Sequence, residues 1–143
     1  MENVSAAVEA FFRRFELNGS KSGVSETITQ FADTFMAAGP QGAQCVRASD
    51  FALALPKRKQ LFENYGCQPM QLVSVDARAL GERYAMAHTR WRVNFEGSNS
   101  RAEPIDLETT FLLDTAEDPF RIVLYLAHQD IFAMLKERAS AKA

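Results

Sequence analysis

Between Tyr84 and Phe95 the chain alternates without a break. Tyr84, Met86, His88, Arg90, Arg92 and Asn94 fall on one side, and Ala85, Ala87, Thr89, Trp91, Val93 and Phe95 on the other. A period of two over that length predicts a strand whose two faces meet different surroundings. Strands are likewise predicted over about 70–76, 83–95, 105–114 and 120–129. Upstream the period is helical. Val4, Ala7, Val8, Phe11, Phe12 and Phe15 recur at three- and four-residue spacing, which predicts a helix over Val4–Leu17 stopped by "NGSKSG". Ile28, Phe31, Ala32 and Phe35 extend the same logic to a second helix over Val24–Met36, ended by "AAGPQG". The segment "AQCVRA" (43–48) reads as a short strand. Ser49 is a candidate N-cap for a helical stretch through "DFALALPKRKQLFENYG", with Pro56 opening a fresh turn. Its "KRK" at 57–59 reads as a solvated helix face. A short helix over Ile131–Arg138, capped by Asp130, closes the chain, and the tail "RASAKA" is expected to fray.

Helices first and an antiparallel meander afterwards predict an α+β fold, with helices covering one face of a curved sheet. Neither a repeat nor a linker divides the chain, so 1–143 is expected to be a single domain. The connections "EGSNSRAEP" and "TAEDP" keep odd residues opposite odd and even opposite even, so the faces can be followed across three strands. The odd face gathers Ala85, Ala87, Thr89, Trp91, Val93, Phe95, Ile105, Leu107, Thr109, Phe111, Leu113, Val123, Tyr125 and Ala127, an almost unbroken apolar surface that must lie under the helices. The even face is half charged and half apolar, and it looks outward. Arg92 is expected opposite Glu108, and Arg90 opposite Thr110. Met86, His88, Arg90, Leu112, Ile122, Leu124 and Leu126 there form an apolar patch ringed by charge, the pattern of an isologous homodimer interface.

Composition narrows the function classes. With 16 Lys+Arg against 18 Asp+Glu, a net charge of −2 and no basic stripe, the chain has no electrostatic footprint for nucleic acid. Apolar runs stay well short of the roughly 20 residues needed to span a bilayer, so no membrane partner is expected. "MENVSAAVEAFFRRF" is interrupted by Glu9 and Arg13 and does not read as an export signal. Cys45 and Cys67 have no metal-ligand or redox spacing and read as two reduced thiols of a cytoplasmic protein; no cofactor is expected.

The order of helices before a long meander, the "FADTF" segment and the last strand "RIVLYLAHQDI" together resemble the nuclear transport factor 2-like superfamily in its SnoaL-like branch, over nearly the whole chain. The resemblance implies a cone-shaped, curved antiparallel sheet with N-terminal helices packed on its concave face, a pocket between the two, and dimerisation through the outer face. That superfamily spans ketosteroid isomerase, scytalone dehydratase, polyketide cyclases and limonene epoxide hydrolase as well as non-enzymatic binding modules, so fold alone selects no function. Isomerase-type sites in it use a tyrosine of the first helix and buried aspartates. Here the first helix carries Phe11, Phe12 and Phe15 instead, and the inward face carries no carboxylate.

The candidate ligand-binding residues are Thr89, Trp91, Thr109 and Tyr125 on the inner face, with Trp91, Thr109 and Tyr125 at successive cross-strand positions. Aromatics with a few hydroxyls suit a mainly apolar small molecule. The same residues would also serve as core whose polar atoms bond to backbone. For catalysis the candidates are His128 beside Asp106, the start of a general-base pair, and Asp33, which would make a base if it turned into the cone. Both histidines sit on outer positions, so no metal site is expected. Three readings remain: a dimeric small-molecule binding domain, a SnoaL-like isomerase, cyclase or dehydratase, and an accessory structural domain whose cone is filled by its 11 phenylalanines.

Overall fold

The computed structural model describes residues 4–20, 24–96 and 103–141. Part of the "NGSKSG" stop, most of the "EGSNSRAEP" connection and the last two residues of the tail lie outside them. In chain order the elements are α1 (Val4–Ser20), α2 (Val24–Ile28), β1 (Phe31–Gly39), β2 (Gly42–Arg47), α3 (Ala48–Asn64), β3 (Gln71–Leu80), β4 (Tyr84–Val93), β5 (Ile105–Asp114), β6 (Arg121–Ala127) and α4 (Ile131–Ala141). The strands make a single curved, unclosed sheet in the order β2-β1-β6-β5-β4-β3. All pairings are antiparallel except β1 with β6. The helices cover the concave face, as expected of an α+β fold of this kind. Among the described residues no helix is long and apolar enough to cross a membrane.

The main departure from the sequence reading is β1. The helix expected over Val24–Met36 ends at Ile28, and Phe31–Gly39 is a strand. Phe31 and Phe35 are both buried, and a spacing of four fits a helical turn and two strand repeats equally well. The pairing of β1 with β6 is irregular between Phe31 and Met36. "AAGPQG" is therefore a hairpin turn, not a helix stop: Gly39 pairs with Gly42, whose φ of 126° favours glycine. At α3, Ser49 is not the cap. The helix starts at Ala48 after extended Arg47, with no side-chain cap, and it runs through Pro56. α4 continues past Arg138 to Ala141.

The inner face is as alternation predicts. Ala85, Ala87, Thr89 and Val93 are fully buried, with Trp91, Ile105, Leu107 and Phe111 nearly so. α1 lays Val8, Phe11 and Phe12 on this surface, and Phe12 meets Phe111 at 4.7 Å between centroids. Gln30, just before β1, is buried to 1%. Its Nε2 donates to the Phe11 carbonyl at 3.1 Å and its Oε1 accepts from Asn18 Nδ2 at 3.0 Å, which ties α1 to the sheet. At the other edge β3 bulges between Leu72 and Ser74. Leu72 N–H donates to Glu16 Oε2 at 2.7 Å, and the Leu72 carbonyl accepts from Arg13 Nη1 at 3.3 Å.

Two register details correct the sequence reading. Parity holds between β4 and β5, but the partners are shifted by two residues: Arg90 faces Glu108 and Arg92 faces Asp106. Trp91 accordingly faces Leu107, while Thr109 faces Thr89 and Ala127, and Tyr125 faces Phe111. Between β5 and β6 the register slips by one, from Leu112↔Leu124 to Leu113↔Ile122. A one-residue bulge turns side chains to the other face. Ile122 is therefore fully buried in the core and is not part of the outer patch where strict alternation puts it.

Candidate functional site

The helices do not fill the concave face. Between α1, α3, α4 and the sheet lies a cavity of about 540 Å³ whose walls include Phe15, Phe31, Phe51, Trp91, Phe111 and Tyr125. The cone is thus open, and the expectation that phenylalanines pack it solid is not met. Trp91, Thr109 and Tyr125 line the cavity; Thr89 does not. Thr89 sits behind, fully buried. Its Oγ1 accepts from Trp91 Nε1 at 2.7 Å and donates to the Thr109 carbonyl at 2.8 Å. The polar atoms of Thr89 and Trp91 are therefore committed to the protein, and Trp91 offers a ligand only its ring. The Thr109 and Tyr125 hydroxyls make no hydrogen bond to another described residue.

The sequence reading missed Arg58. Helix α3 turns the middle of "KRK" onto the cavity wall, where the Arg58 guanidinium carbon lies 5.2 Å from the Phe62 ring centre and 5.0 Å from that of Phe132. Those rings are 4.9 Å apart, one from α3 and one from α4. Arg58 as a whole is exposed, while its guanidinium rests against these two rings. Desolvation lowers its pKa, and Tyr125 is the titratable group whose charge acts on it. A pair of aromatics four and more positions downstream (Phe62, Phe132) was the available signal, though only the fold brings Phe132 near. Lys59 also lines the cavity. Cys67 does too, and burial pushes its thiol pKa up, partly offset by Arg138.

None of the candidate bases enters the cavity. Asp33 is exposed on β1 and does not line the wall. Asp106 is exposed and bonded to Arg92, Nε to Oδ1 at 2.8 Å, which holds its carboxyl below the usual range. His128 does not sit beside Asp106, because β6 also pairs with β5 two residues away from the expected register, and the His128 N–H donates to the Glu108 carbonyl instead. Its Nε2 is 2.8 Å from Thr110 Oγ1, and its ring stacks on His88 at 5.4 Å and 8°. Three of the cavity-lining residues are acidic: Glu16, Glu63 and Glu108. Glu16 is engaged by the Leu72 N–H and Arg13, and the Glu108 carboxylate by His88.

On the outer face, register places Met86, Leu112, Leu124 and Met36 in one row across four strands. Leu126, in the next row, is 40% exposed. His88 lies on this face against Glu108, Nε2 to Oε1 at 2.6 Å, and Arg90 is exposed. His88, Glu108 and His128 each present one ligand atom within 4.8 Å of the others. Two imidazoles and a carboxylate are a donor set that a zinc-like cation accepts. Alternation placed both rings outward but could not show that β5 brings them together.

No family model matches the chain, and no curated protein matches it in sequence. In three dimensions it is similar to Aln2 from Streptomyces, with 8% identity, 94% of this chain and 96% of that one covered, and a TM-score of 0.74. It is similar to a nuclear transport factor 2-like protein with a cystatin-like fold from Novosphingobium aromaticivorans (10% identity, 87% and 80% covered, TM-score 0.71). A nuclear transport factor 2-like protein of unknown function from Pseudomonas putida gives 14% identity, 90% and 87% covered, and a TM-score of 0.69. At such identities the likeness is one of fold. The chain has the nuclear transport factor 2-like, cystatin-like fold that the resemblance implied.

Proposed function

We propose that this nuclear transport factor 2-like fold serves as a small-molecule binding domain that holds a mainly apolar ligand in its cone. It works as a cytoplasmic homodimer joined through the outer face of the sheet. The observation that carries the reading is the open cavity of about 540 Å³, a size that suits a small organic ligand, walled by aromatic rings and left with a few unengaged polar groups. The enzymatic reading has less support: Asp33, Asp106 and His128 do not line the cavity, and of the acids that do, Glu16 and Glu108 are engaged by other residues. The dimer reading rests on the apolar row Met86, Leu112, Leu124 and Met36 with Leu126 beside it. Two free thiols fit a reducing compartment.

The test uses N-phenyl-1-naphthylamine, a neutral dye that brightens in apolar sites. Saturable 1:1 binding is expected, weakened at least tenfold by Leu55→Trp, which places a large ring at the cavity wall. Unchanged binding in L55W, or none in the wild type, refutes the cone as the site. Sedimentation equilibrium should give twice 16.0 kDa for the wild type and 16.0 kDa for Leu124→Arg. A monomeric wild type, or a dimer that survives L124R, refutes the interface.

A further inference from the structure

Arg58 is the least explained group in the molecule. A guanidinium is charged at every accessible pH and carries five N–H donors in a planar fork. Here its face lies on Phe62 and Phe132, which uses the ring quadrupoles but leaves the in-plane donors unspent. Arg58 makes no hydrogen bond or ion pair to any described residue. No carboxylate contributes to its electrostatics; desolvation and Tyr125 account for its shift. Of the acids on the wall, Glu16 and Glu108 are held by Arg13 and His88, and Glu63 is exposed. A cation with unspent donors on the aromatic side of a cavity is matched by an anion that brings its own apolar body.

We infer that the cone's ligand is an organic acid whose carboxylate is bound by the Arg58 guanidinium and the Tyr125 hydroxyl, while its apolar or aromatic body lies against Trp91, Phe111 and Phe31. This rests on the cone being the binding site. Arg58 supplies the fork that matches a carboxylate, two parallel N–H···O bonds. Tyr125 supplies a third donor, since it lines the same cavity and its hydroxyl makes no hydrogen bond to another described residue. The Arg58 guanidinium already rests against Phe62 and Phe132, so part of its freedom is lost before the acid arrives. Neutral apolar molecules enter the same space but leave the cation unpaired.

The experiment compares 4-phenylbutyrate with 4-phenylbutanamide, which share a body and differ in charge. Binding is read from Trp91, the chain's single tryptophan, excited at a wavelength the ligands do not absorb. The acid should bind the wild type at least about tenfold tighter than the amide. Arg58→Met should erase that preference and leave amide binding unchanged, Arg58→Lys should retain part of it, and Tyr125→Phe should reduce it several-fold. Because Arg58 is exposed and makes no hydrogen bond or ion pair to a described residue, the melting temperature of R58M should stay near the wild type's, which controls for misfolding. Equal binding of acid and amide, or a preference that persists in R58M, overturns the inference while leaving the cone as a binding site. Failure of both probes, together with failure of N-phenyl-1-naphthylamine, overturns both.

Discussion

Thr89→Val separates a structural hydroxyl from a ligand contact. The side chain is fully buried and nearly isosteric with valine, so the change removes chemistry and almost no volume. Two hydrogen bonds disappear, the one from Trp91 Nε1 at 2.7 Å and the one to the Thr109 carbonyl at 2.8 Å. At about 1 kcal/mol each they account for about 2 kcal/mol, and the indole N–H, orphaned beside a methyl group, adds roughly 1 kcal/mol or more. The apolar methyl returns part of this, so the net loss should be about 2 kcal/mol. With a urea m-value near 2 kcal/mol/M that is a shift of about 1 M in the midpoint, or roughly 4–8 °C in Tm for a chain of this length. Urea unfolding followed by circular dichroism reads it. Repeating the change in a Trp91→Phe background isolates the indole bond: with no N–H to orphan, T89V should cost about 1 kcal/mol there. Affinity for N-phenyl-1-naphthylamine should not change in T89V. A loss below about 0.5 kcal/mol accompanied by weakened dye binding would refute the assignment and put the hydroxyl in the cavity.

Acid should remove two clamps, one exposed at Asp106 and one at the buried Asp114. The Asp106 carboxyl is held low by its bond from Arg92, and that of Asp114 by its bonds from Arg83 and the Ala116 N–H. Groups with depressed folded pKa values stabilise above the ordinary carboxylate value of about 3.9 and cease to do so as pH falls through their folded values. The Tm gap between wild type and an Asp106→Asn/Asp114→Asn variant should therefore narrow from about pH 5 to about pH 2, and a gap that stays constant contradicts the pairing. Iodoacetamide should modify exposed Cys45 well before Cys67, whose thiol is buried and shifted upward; mass spectrometry of tryptic peptides decides, and equal rates would mean the cavity wall is open at Cys67.

The parts of the fold legible in the sequence are those where one period excludes the other. Tyr84–Phe95 alternates through six pairs with unlike faces, and both its strand character and its inward side are as the structure has them. Phe31 and Phe35 defeated the same logic because a spacing of four is common to both periods, and local pattern does not record the parallel partner, β6, that holds β1 extended. Ile122 went to the wrong face because a bulge costs one residue and leaves no mark in composition. The cavity wall was readable in its sheet half, from Trp91, Thr109 and Tyr125. Its helical half was not: Arg58 lies in a run of three cations that looks solvated, and its aromatic seat comes from residues 62 and 132, which sequence distance keeps apart. The proximity of His88, Glu108 and His128 is likewise a product of three-strand register.

The bulge at the start of β3 also bears on what this protein does in a crowded solution. β3 is an edge strand, and an edge offers unpaired N–H and C=O groups to any extended chain that drifts alongside. At Leu72 both groups are already occupied by Glu16 and Arg13 from α1. The first helix thus acts as a chock at one end of the exposed edge. A peptide adding to β3 finds no free N–H or C=O at Leu72 and has to pair from Ser74 onward.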